Sequence, residues 1–337
     1  MRSCSSPRPT GSPARSGASP RRTARSAPRW RSSCGRTSWG GSRSPGRCST
    51  SRSRSSGPGR APSGPAPGTG PSSIRAVRIS AVVARLRTRA ALRNPPPCPA
   101  GWSVAPPDFI GLGAQRSGTT WLYSLIAAHP DVQGETTKEL HYFHRFWDRP
   151  FADADAETYA RFFPRPAGRI AGEWSPGYLA HFWVPPLIAR AAPDARLLVS
   201  LRDPVERYRS GVVLQAETRR PGPAAASAAF RLGCYGLQLE QVLHTAARER
   251  MLVVQFERCI ADPGGELARI YAFLGLDPAF RPPGLDRPVN AARAHKQDLP
   301  DETRAALVGA YTPDVRRLAA LDLSIDLARW PNFAHLA

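Results

Sequence analysis

The segment that most restricts the fold of this chain is GAQRSGTT, residues 113–120. The apolar run FIGLG at 109–113 predicts a buried strand before it, and residues 119–128 predict a helix after it. A strand that enters a helix through a Gly-rich turn directs backbone N–H groups and the positive helix end at an anion. Gly113 and Gly118 permit the turn and a close approach of the backbone to a phosphate. We therefore expect a phosphate-binding loop, with a Gly-rich turn that binds nothing as the alternative.

The side chains of this loop narrow the class of ligand. Thr119 and Thr120 supply hydroxyl donors, and Arg116 supplies a fixed positive charge that can bind an oxyanion bidentately. In the nucleotide-triphosphatase loop G-x-x-x-x-G-K-[ST] the two glycines have the same spacing, but Thr119 occupies the place of its lysine. A loop without that lysine is poorly equipped to hold a β/γ-phosphate pair with magnesium. A nucleotide kinase or triphosphatase is therefore kept only as an alternative function for this chain. No metal ion is expected in the site.

Apolar runs and helical patterns alternate along the rest of the chain. Further buried strands are predicted at 196–201 and 251–256. Helices are predicted at 205–216, 232–248, 265–274 and 301–321. Strands separated by helices indicate an α/β fold, in this case a P-loop-like parallel sheet with helices on both faces.

The charge is distributed very unevenly. Residues 1–100 contain twenty arginines and no acidic residue or lysine, and the 27 other basic residues face 26 acidic ones in 101–337. The formal net charge of +21 therefore belongs to the front of the chain. Residues 1–93 are expected to be a disordered Ser/Arg/Pro-rich extension with a short helix near its end. Residues 94–337 are expected to form the folded domain, with no nucleic-acid partner of its own.

The role of the front extension stays open at this point. It could bind nucleic acid or an acidic surface, act as an organelle transit peptide, or have no function. Nowhere does the sequence contain a run of about 18 apolar residues, so no membrane-spanning helix is expected. The six cysteines form no C-x-x-C pair, which argues against a zinc site and a disulfide framework. A reducing, cytoplasmic location is expected.

Two segments resemble the sulfotransferase family. GAQRSGTTWL, from Gly113, is similar to its 5′-phosphosulfate loop, and LLVSLRDPVERYRS, residues 197–210, is similar to its 3′-phosphate motif. The resemblance implies sulfuryl transfer from 3′-phosphoadenosine 5′-phosphosulfate (PAPS) to a hydroxyl or amine. The donor-binding residues that it implies are Arg116, Ser117, Gly118, Thr119, Thr120, Arg202 and Ser210.

The roles of several residues in these motifs can be inferred from the chemistry of their side chains. Arg202 at the end of a strand and Ser210 on the next helix can bind one phosphate from two sides. The alternative is that Arg202-Asp203-Pro204 forms only an ion pair at the start of a helix. Many family members have lysine at the position of Arg116. Because a guanidinium does not readily release a proton, Arg116 is expected to stabilise charge on the leaving group rather than donate a proton.

The segment KELHYF, residues 138–143, resembles one in glycosaminoglycan-type sulfotransferases that carries the catalytic base. That resemblance implies Glu139 as the base, while His141 is the rival because an imidazole titrates near neutrality. The alternative for Glu139 is a surface ion pair with Lys138. The alternative for His141 is a structural histidine at a strand end.

The remaining expectations concern the acceptor. The segment EWSPGY, residues 173–178, either lines the acceptor cleft, as the resemblance implies, or forms a buried turn around its tryptophan. In 290–296, Arg293 and Lys296 are candidates for a basic loop that closes over the donor; the alternative is a solvated charged loop. The stretches 144–170 and 217–230 are predicted to be loops that select the acceptor, and their composition fits a carbohydrate, a small molecule or a peptide equally well.

Overall fold

A five-stranded parallel sheet forms the centre of the computed structural model, which describes residues 94–134, 138–218, 222–285 and 298–337. In chain order the strands are β1 (Ser103–Val104), β2 (Phe109–Gly113), β3 (Val132–Gln133), β4 (Pro164–Arg165), β5 (Ile170–Trp174), β6 (Arg196–Leu201) and β7 (Met251–Gln255). The parallel sheet has the order β3-β5-β2-β6-β7, and β1 pairs with β4 in a separate antiparallel ribbon.

Nine α-helices lie in the described part of the chain. They are α1 (Thr119–Ala127), α2 (Asp153–Ala160), α3 (Val184–Ala191), α4 (Pro204–Thr218), α5 (Pro223–Arg231), α6 (Tyr235–Leu243), α7 (Phe256–Ala261), α8 (Pro263–Leu274) and α9 (Asp301–Ala320). Short 3-10 helices add Tyr142–Phe146, Tyr178–Ala180, Arg248–Arg250, Leu327–Arg329 and Ala334–Leu336.

Both faces of the sheet are covered, because successive side chains of a strand point to opposite faces. On β6, Leu197 and Val199 pack in one apolar cluster and Leu198 packs in another. The first cluster contains residues of α3, α6 and α9, and the second contains residues of α1 and α8. The predicted α/β fold with a P-loop-like parallel sheet and helices on both faces is confirmed.

The parallel pairing places four strand ends at one edge of the sheet. Residues of β2 pair in parallel with β5 and β6, and β6 pairs in parallel with β7. Their carboxyl ends therefore meet, and ligands of open α/β sheets bind at that edge. The loop after β2, the turn after β5 and the segments after β6 and β7 are thus brought together.

Two predicted loops are partly helical. The stretch 144–170 contains α2, in which the Asp155 carboxylate accepts a hydrogen bond from the Ala152 N–H and so caps the first turn. The stretch 217–230 contains most of α5, whose Ala-rich sequence after Pro223 favours a helix. The prediction of loops was wrong at these two places because these local signals were overlooked.

Helix α6 is shorter than the helix predicted at 232–248. It begins at Tyr235 because the Asp314 carboxylate, which comes from α9, accepts hydrogen bonds from the backbone N–H groups of Gly236 and Leu237. A cap that comes from a distant helix leaves no local pattern in the sequence.

Other expectations lie outside the described residues. These are the extension 1–93 with its predicted helix and the basic segment 290–296. Within the described ranges, no helix combines the length and the apolar character needed to cross a membrane.

Candidate active site

The loop between β2 and α1 leaves the start of the helix open. Gly118 is the residue before the helix, with a φ of 78°, and no side chain caps the helix there. A methyl group at Gly118 would lie 2.7 Å from the Phe256 ring, so this position requires glycine both for its φ and for its lack of a side chain. The first backbone N–H groups of α1 can therefore face an anion, as predicted for this loop.

Strand β6 holds the loop in place. The Ala114 N–H donates to the Ser200 carbonyl at 2.7 Å, and the Ser200 hydroxyl donates to the Ser117 carbonyl at 2.5 Å. Ser117 and Thr119 are buried, whereas Arg116 and Thr120 are exposed. The two exposed side chains are those that can reach a ligand directly.

Arg116 connects the two predicted donor-binding motifs. It has a φ of 70°, and its Nε donates a hydrogen bond to the Ser210 hydroxyl at 3.0 Å. Ser210 lies on α4 and is buried. The two residues are separated by 94 positions in the sequence, so this contact is a product of the tertiary structure alone.

Arg202 lies where the sequence places it, directly after β6. Its guanidinium lies 5.1 Å from the centre of the Phe256 ring, the same ring that approaches Gly118. Its side chain is 13% exposed, and its Nη2 is 3.8 Å from a Glu206 carboxylate oxygen rather than paired with Asp203. Arg202 and the loop therefore lie close to the same aromatic ring.

The Asp203 carboxylate has a structural role, and Arg202 contacts Glu206 instead of forming the alternative ion pair with Asp203 at the helix start. One carboxylate oxygen accepts from the N–H groups of Val205 and Glu206, and the other accepts from the backbone and side chain of Asn332. Burial raises the pKa of Asp203, and these hydrogen bonds partly offset that rise. The residue caps α4 and fastens the end of the chain to it.

Positive charge is concentrated beside this helix in a way that the sequence analysis missed. The Glu206 carboxylate contacts the guanidinium of Arg209 at 2.6 Å and that of Arg304 at 3.3 Å, in addition to Arg202. Arg209 also pairs with Asp298 at 2.5 Å, so three cations and two carboxylates leave a net positive charge one helical turn before Ser210. Arg209 lies inside the motif 197–210 and could have been found there, because it is one helical turn after Glu206, but Arg304 comes from α9 and has no local signal.

The candidate base Glu139 forms the ion pair that the sequence offered as an alternative. Its carboxylate accepts from the Lys138 ammonium at 2.5 Å and lies 3.6 Å from Nε2 of His141. The contact with His141 lowers the pKa of Glu139 most, Lys138 lowers it further, and together they hold it at about 2 against partial burial. The structure thus brings Lys138, Glu139 and His141 together, with the Glu139 side chain 46% exposed.

The segment EWSPGY is a buried support and not a cleft wall. Glu173, Trp174, Ser175 and Tyr178 are all fully buried. The Glu173 carboxylate accepts hydrogen bonds from three hydroxyl groups, those of Tyr159, Ser175 and Tyr178. Burial raises the pKa of Glu173, and these three hydrogen bonds lower it in part. Of the two alternatives that the sequence left open for this segment, the structure shows the buried turn around the tryptophan.

This support positions the segment that carries the candidate bases. The Ser175 hydroxyl oxygen accepts a hydrogen bond from the His141 N–H at 2.9 Å, and the Tyr178 hydroxyl accepts one from the Tyr142 N–H at 2.7 Å. Gly177 lies between this segment and the phosphate loop: a methyl group there would be 2.9 Å from the His144 ring and 3.6 Å from Nε2 of Gln115. The candidate bases and the phosphate loop therefore lie on neighbouring segments of one edge.

Arg293 and Lys296, predicted to close over the donor, lie outside the described residues.

A family profile for the sulfotransferase family matches residues 107–281, which is more than half of the chain. The chain is 32% identical over 186 residues to heparan sulfate glucosamine 3-O-sulfotransferase 3B1 of Homo sapiens, covering 50% of this chain and 46% of that protein. It is also 32% identical over 186 residues to heparan sulfate glucosamine 3-O-sulfotransferase 6 of Mus musculus, covering 50% of this chain and 52% of that protein. The chain thus spans about half the length of the curated relatives it matches.

The fold also matches that of a solved sulfotransferase from Alicyclobacillus acidocaldarius, with a TM-score of 0.55 and 25% identity. The match covers 67% of this chain and 99% of that one. The residues matched by the family profile include the phosphate loop, the segment that carries Glu139 and the motif with Arg202 and Ser210. The chain therefore belongs to the sulfotransferase family, whose members are transferases that use PAPS as the sulfuryl donor.

Proposed function

We propose that this chain transfers the sulfuryl group of PAPS to a hydroxyl or amine of an acceptor. The observation that carries the proposal is the hydrogen bond from Arg116 to Ser210, because it joins the phosphate loop and the 3′-phosphate motif into one anion-binding region. The relatives named as heparan sulfate glucosamine 3-O-sulfotransferases support a carbohydrate acceptor.

The residues present fit the donor. Gly118 forms a cradle that a Cβ would fill, at the open start of α1, and this cradle suits the 5′-phosphosulfate. Arg202 and Ser210 are assigned to the 3′-phosphate, with the electropositive region around Glu206 behind them. Ser117 is buried and its hydroxyl faces inward, so its contribution to the loop is its backbone.

The chemistry then needs one proton acceptor and one stabilising cation. The acceptor oxygen or nitrogen forms the new bond to sulfur, while the bond between sulfur and the bridging phosphate oxygen breaks. The proton of the acceptor passes to Glu139 or His141. Arg116 stabilises the negative charge that develops on the departing phosphate, which is how preorganised donors usually accelerate such transfers.

The second candidate function, a P-loop kinase or triphosphatase, is not favoured. The family match points to sulfuryl transfer, and Thr119 replaces the lysine of the triphosphatase loop. The acidic residue after β6, Asp203, accepts four hydrogen bonds from the protein, so it is not available to a magnesium ion.

Titration calorimetry with adenosine 3′,5′-bisphosphate (PAP) and with ATP tests the donor class without knowledge of the acceptor. We expect PAP to bind at least tenfold more tightly than ATP, with no dependence on magnesium, because the two arginine-bearing motifs suit separate 3′ and 5′ anions. Tighter binding of ATP that requires magnesium would instead favour the kinase alternative.

A further inference from the structure

A row of aromatic rings begins at the candidate base. The 3-10 helix Tyr142–Phe146 follows His141, and side chains three residues apart eclipse one another in such a helix. The rings of His141 and His144 accordingly stack with centres 4.8 Å apart. Trp147, which ends this helix with φ −69° and ψ −27°, is the next residue at the same spacing of three. Trp147 is 69% exposed.

A second segment, residues 181–183, adds further aromatic rings next to His144. The ring of His144 lies 4.5 Å from that of His181, and the ring of His181 stacks on Trp183 at 4.5 Å. Phe182 contacts Trp183 edge to face and is 70% exposed. We call His141, His144, Trp147, His181 and Phe182 the aromatic shelf. It is an open surface, since its two largest apolar side chains are mostly exposed.

The shelf begins next to the candidate base. His141 Nε2 is 3.6 Å from the Glu139 carboxylate, so a ring that lies on the shelf can present a hydroxyl group to Glu139 or His141. The helix rises about 2 Å per residue, so His141 to Trp147 covers about 12 Å, more than one sugar ring.

Two of the three imidazoles on the shelf, His144 and His181, are uncharged at neutral pH. Burial, with the neighbouring His181 and His141, lowers the pKa of His144 to about 3. Burial also lowers the pKa of His181. A neutral imidazole offers one hydrogen-bond donor and one acceptor.

The cations on the shelf's own segment are engaged by the protein. Lys138 pairs with Glu139 at 2.5 Å, and Arg149 pairs with Asp155 at 3.2 Å. The Arg145 guanidinium lies 4.0 Å from the centre of the preceding tyrosine ring. Because carboxylates offset two of these three cations, the segment has little net positive charge with which to attract a strongly anionic chain.

We propose that the acceptor is an uncharged carbohydrate whose sugar rings lie on the aromatic shelf and whose hydroxyl reaches Glu139 or His141. This inference rests on the proposed sulfuryl transfer. A sugar ring has an apolar C–H face, which packs on Trp147 and Phe182, and a hydroxyl edge, which the neutral imidazoles can bind. A small apolar phenol would instead require an enclosed apolar pocket, because such ligands bind with most of their surface buried.

Transfer of radiolabelled sulfate from PAPS tests the proposal in three parallel reactions with the full chain. The acceptors are a mixture of chitotetraose, maltotetraose and cellotetraose, then heparan sulfate, and then 2-naphthol. We expect the highest kcat/KM for the uncharged oligosaccharides. A higher kcat/KM for heparan sulfate or 2-naphthol, or no transfer to the oligosaccharides, would overturn the assignment of the acceptor. The proposed donor is tested separately by the PAP titration.

Variants then locate the sugar on the protein. Trp147→Ala and Phe182→Ala should each raise the KM for the oligosaccharide by about three- to tenfold, the size expected for one aromatic contact, with kcat and PAP affinity little changed. Ile260→Ala is the matched control, because Ile260 is 66% exposed and lies on α7, which contributes no residue to the shelf; its KM should equal that of the wild type. An unchanged KM in both shelf variants would contradict the proposal.

Discussion

At the scale of single residues, the proposed reaction depends most on the positive charge of Arg116. Its guanidinium is held by Ser210, which fixes the direction of its charge before any ligand arrives. A charge that is already oriented stabilises a developing negative charge without reorganisation at the moment of reaction. Arginine also keeps its proton, so its contribution is electrostatic and independent of pH in the physiological range.

The first prediction follows from this geometry. Arg116→Ala should lower turnover by a factor on the order of 10²–10³, the range observed when one preorganised donor is removed. The melting temperature should change little because Arg116 is exposed. Arg116→Lys is the matched control, and it should retain more of the turnover because the charge remains. Equal activity of Arg116→Ala and the wild type would remove this residue from the mechanism.

The second prediction distinguishes Glu139 from His141 as the base. Since the pKa of Glu139 is held at about 2, its carboxylate stays ionised and kcat/KM should show no acidic limb down to about pH 4. Glu139→Gln should remove most of the turnover while PAP still binds. His141→Gln should remain active, but its acidic limb should move up toward the usual carboxyl range of about 4.3, because the main contact that lowers the Glu139 pKa is lost.

The opposite pattern assigns the base to His141. In that case His141→Gln loses turnover and Glu139→Gln stays near the wild type. Melting temperatures on the same preparations show whether a variant has lost stability instead of a catalytic group.

At the scale of elements, the site is held by contacts between strand ends and the segments that follow them. Ser200 on β6 fixes the phosphate loop through its carbonyl and its hydroxyl. Phe256, the first residue after β7, contacts both Gly118 and Arg202. The buried Glu173 at the end of β5 organises three hydroxyl groups, two of which accept backbone N–H groups from the segment of His141. Each candidate catalytic side chain is therefore held in place by contacts with a neighbouring strand or the segment that follows it.

The third prediction concerns the contacts that Arg202 and Ser210 are proposed to make with the 3′-phosphate of the donor. Arg202→Ala should weaken PAP binding by roughly 1.5–3 kcal/mol, the size of a contact to a charged group, and leave adenosine 5′-phosphosulfate nearly unaffected. Ser210→Ala should weaken both ligands, since Ser210 also holds Arg116 in the loop. Calorimetry with the two ligands measures the difference. Equal weakening of both ligands by Arg202→Ala would show that Arg202 does not bind the 3′-phosphate.

At the scale of the whole molecule, the front of the chain and the rest differ in net charge and in apolar content. The described part has two apolar clusters around one sheet and nearly balanced charge, whereas the front carries the arginine excess. A segment with that composition has few apolar side chains with which to offset the entropy lost on ordering. We propose that the domain 94–337 folds and acts independently of the extension 1–93.

The fourth prediction tests this independence. A chain that starts at Ser73 should have the melting temperature and the PAP affinity of the full chain, because the residues removed lack a core-forming pattern. Differential scanning calorimetry and PAP titration measure the two quantities. A clear fall in melting temperature would show that residues 1–72 contribute to the folded domain.

The sequence by itself determined the elements whose signals are local. Strands β2 and β6 were predicted with their exact bounds, because an apolar run next to a Gly or Arg turn marks a buried strand. The phosphate loop and the motif of Arg202 and Ser210 were readable for the same reason: each motif lies within a few consecutive residues.

Only the tertiary structure decided which of these residues meet. The contact of Arg116 with Ser210, the cap that Asp314 provides for α6 and the position of Arg304 beside Glu206 each join residues far apart in the chain. The contact of His144 with His181, 37 positions later in the chain, likewise brings together the two segments of the proposed aromatic shelf. Such pairings depend on how helices and strands pack, and sequence periodicity shows which face of an element is apolar but not which partner covers it.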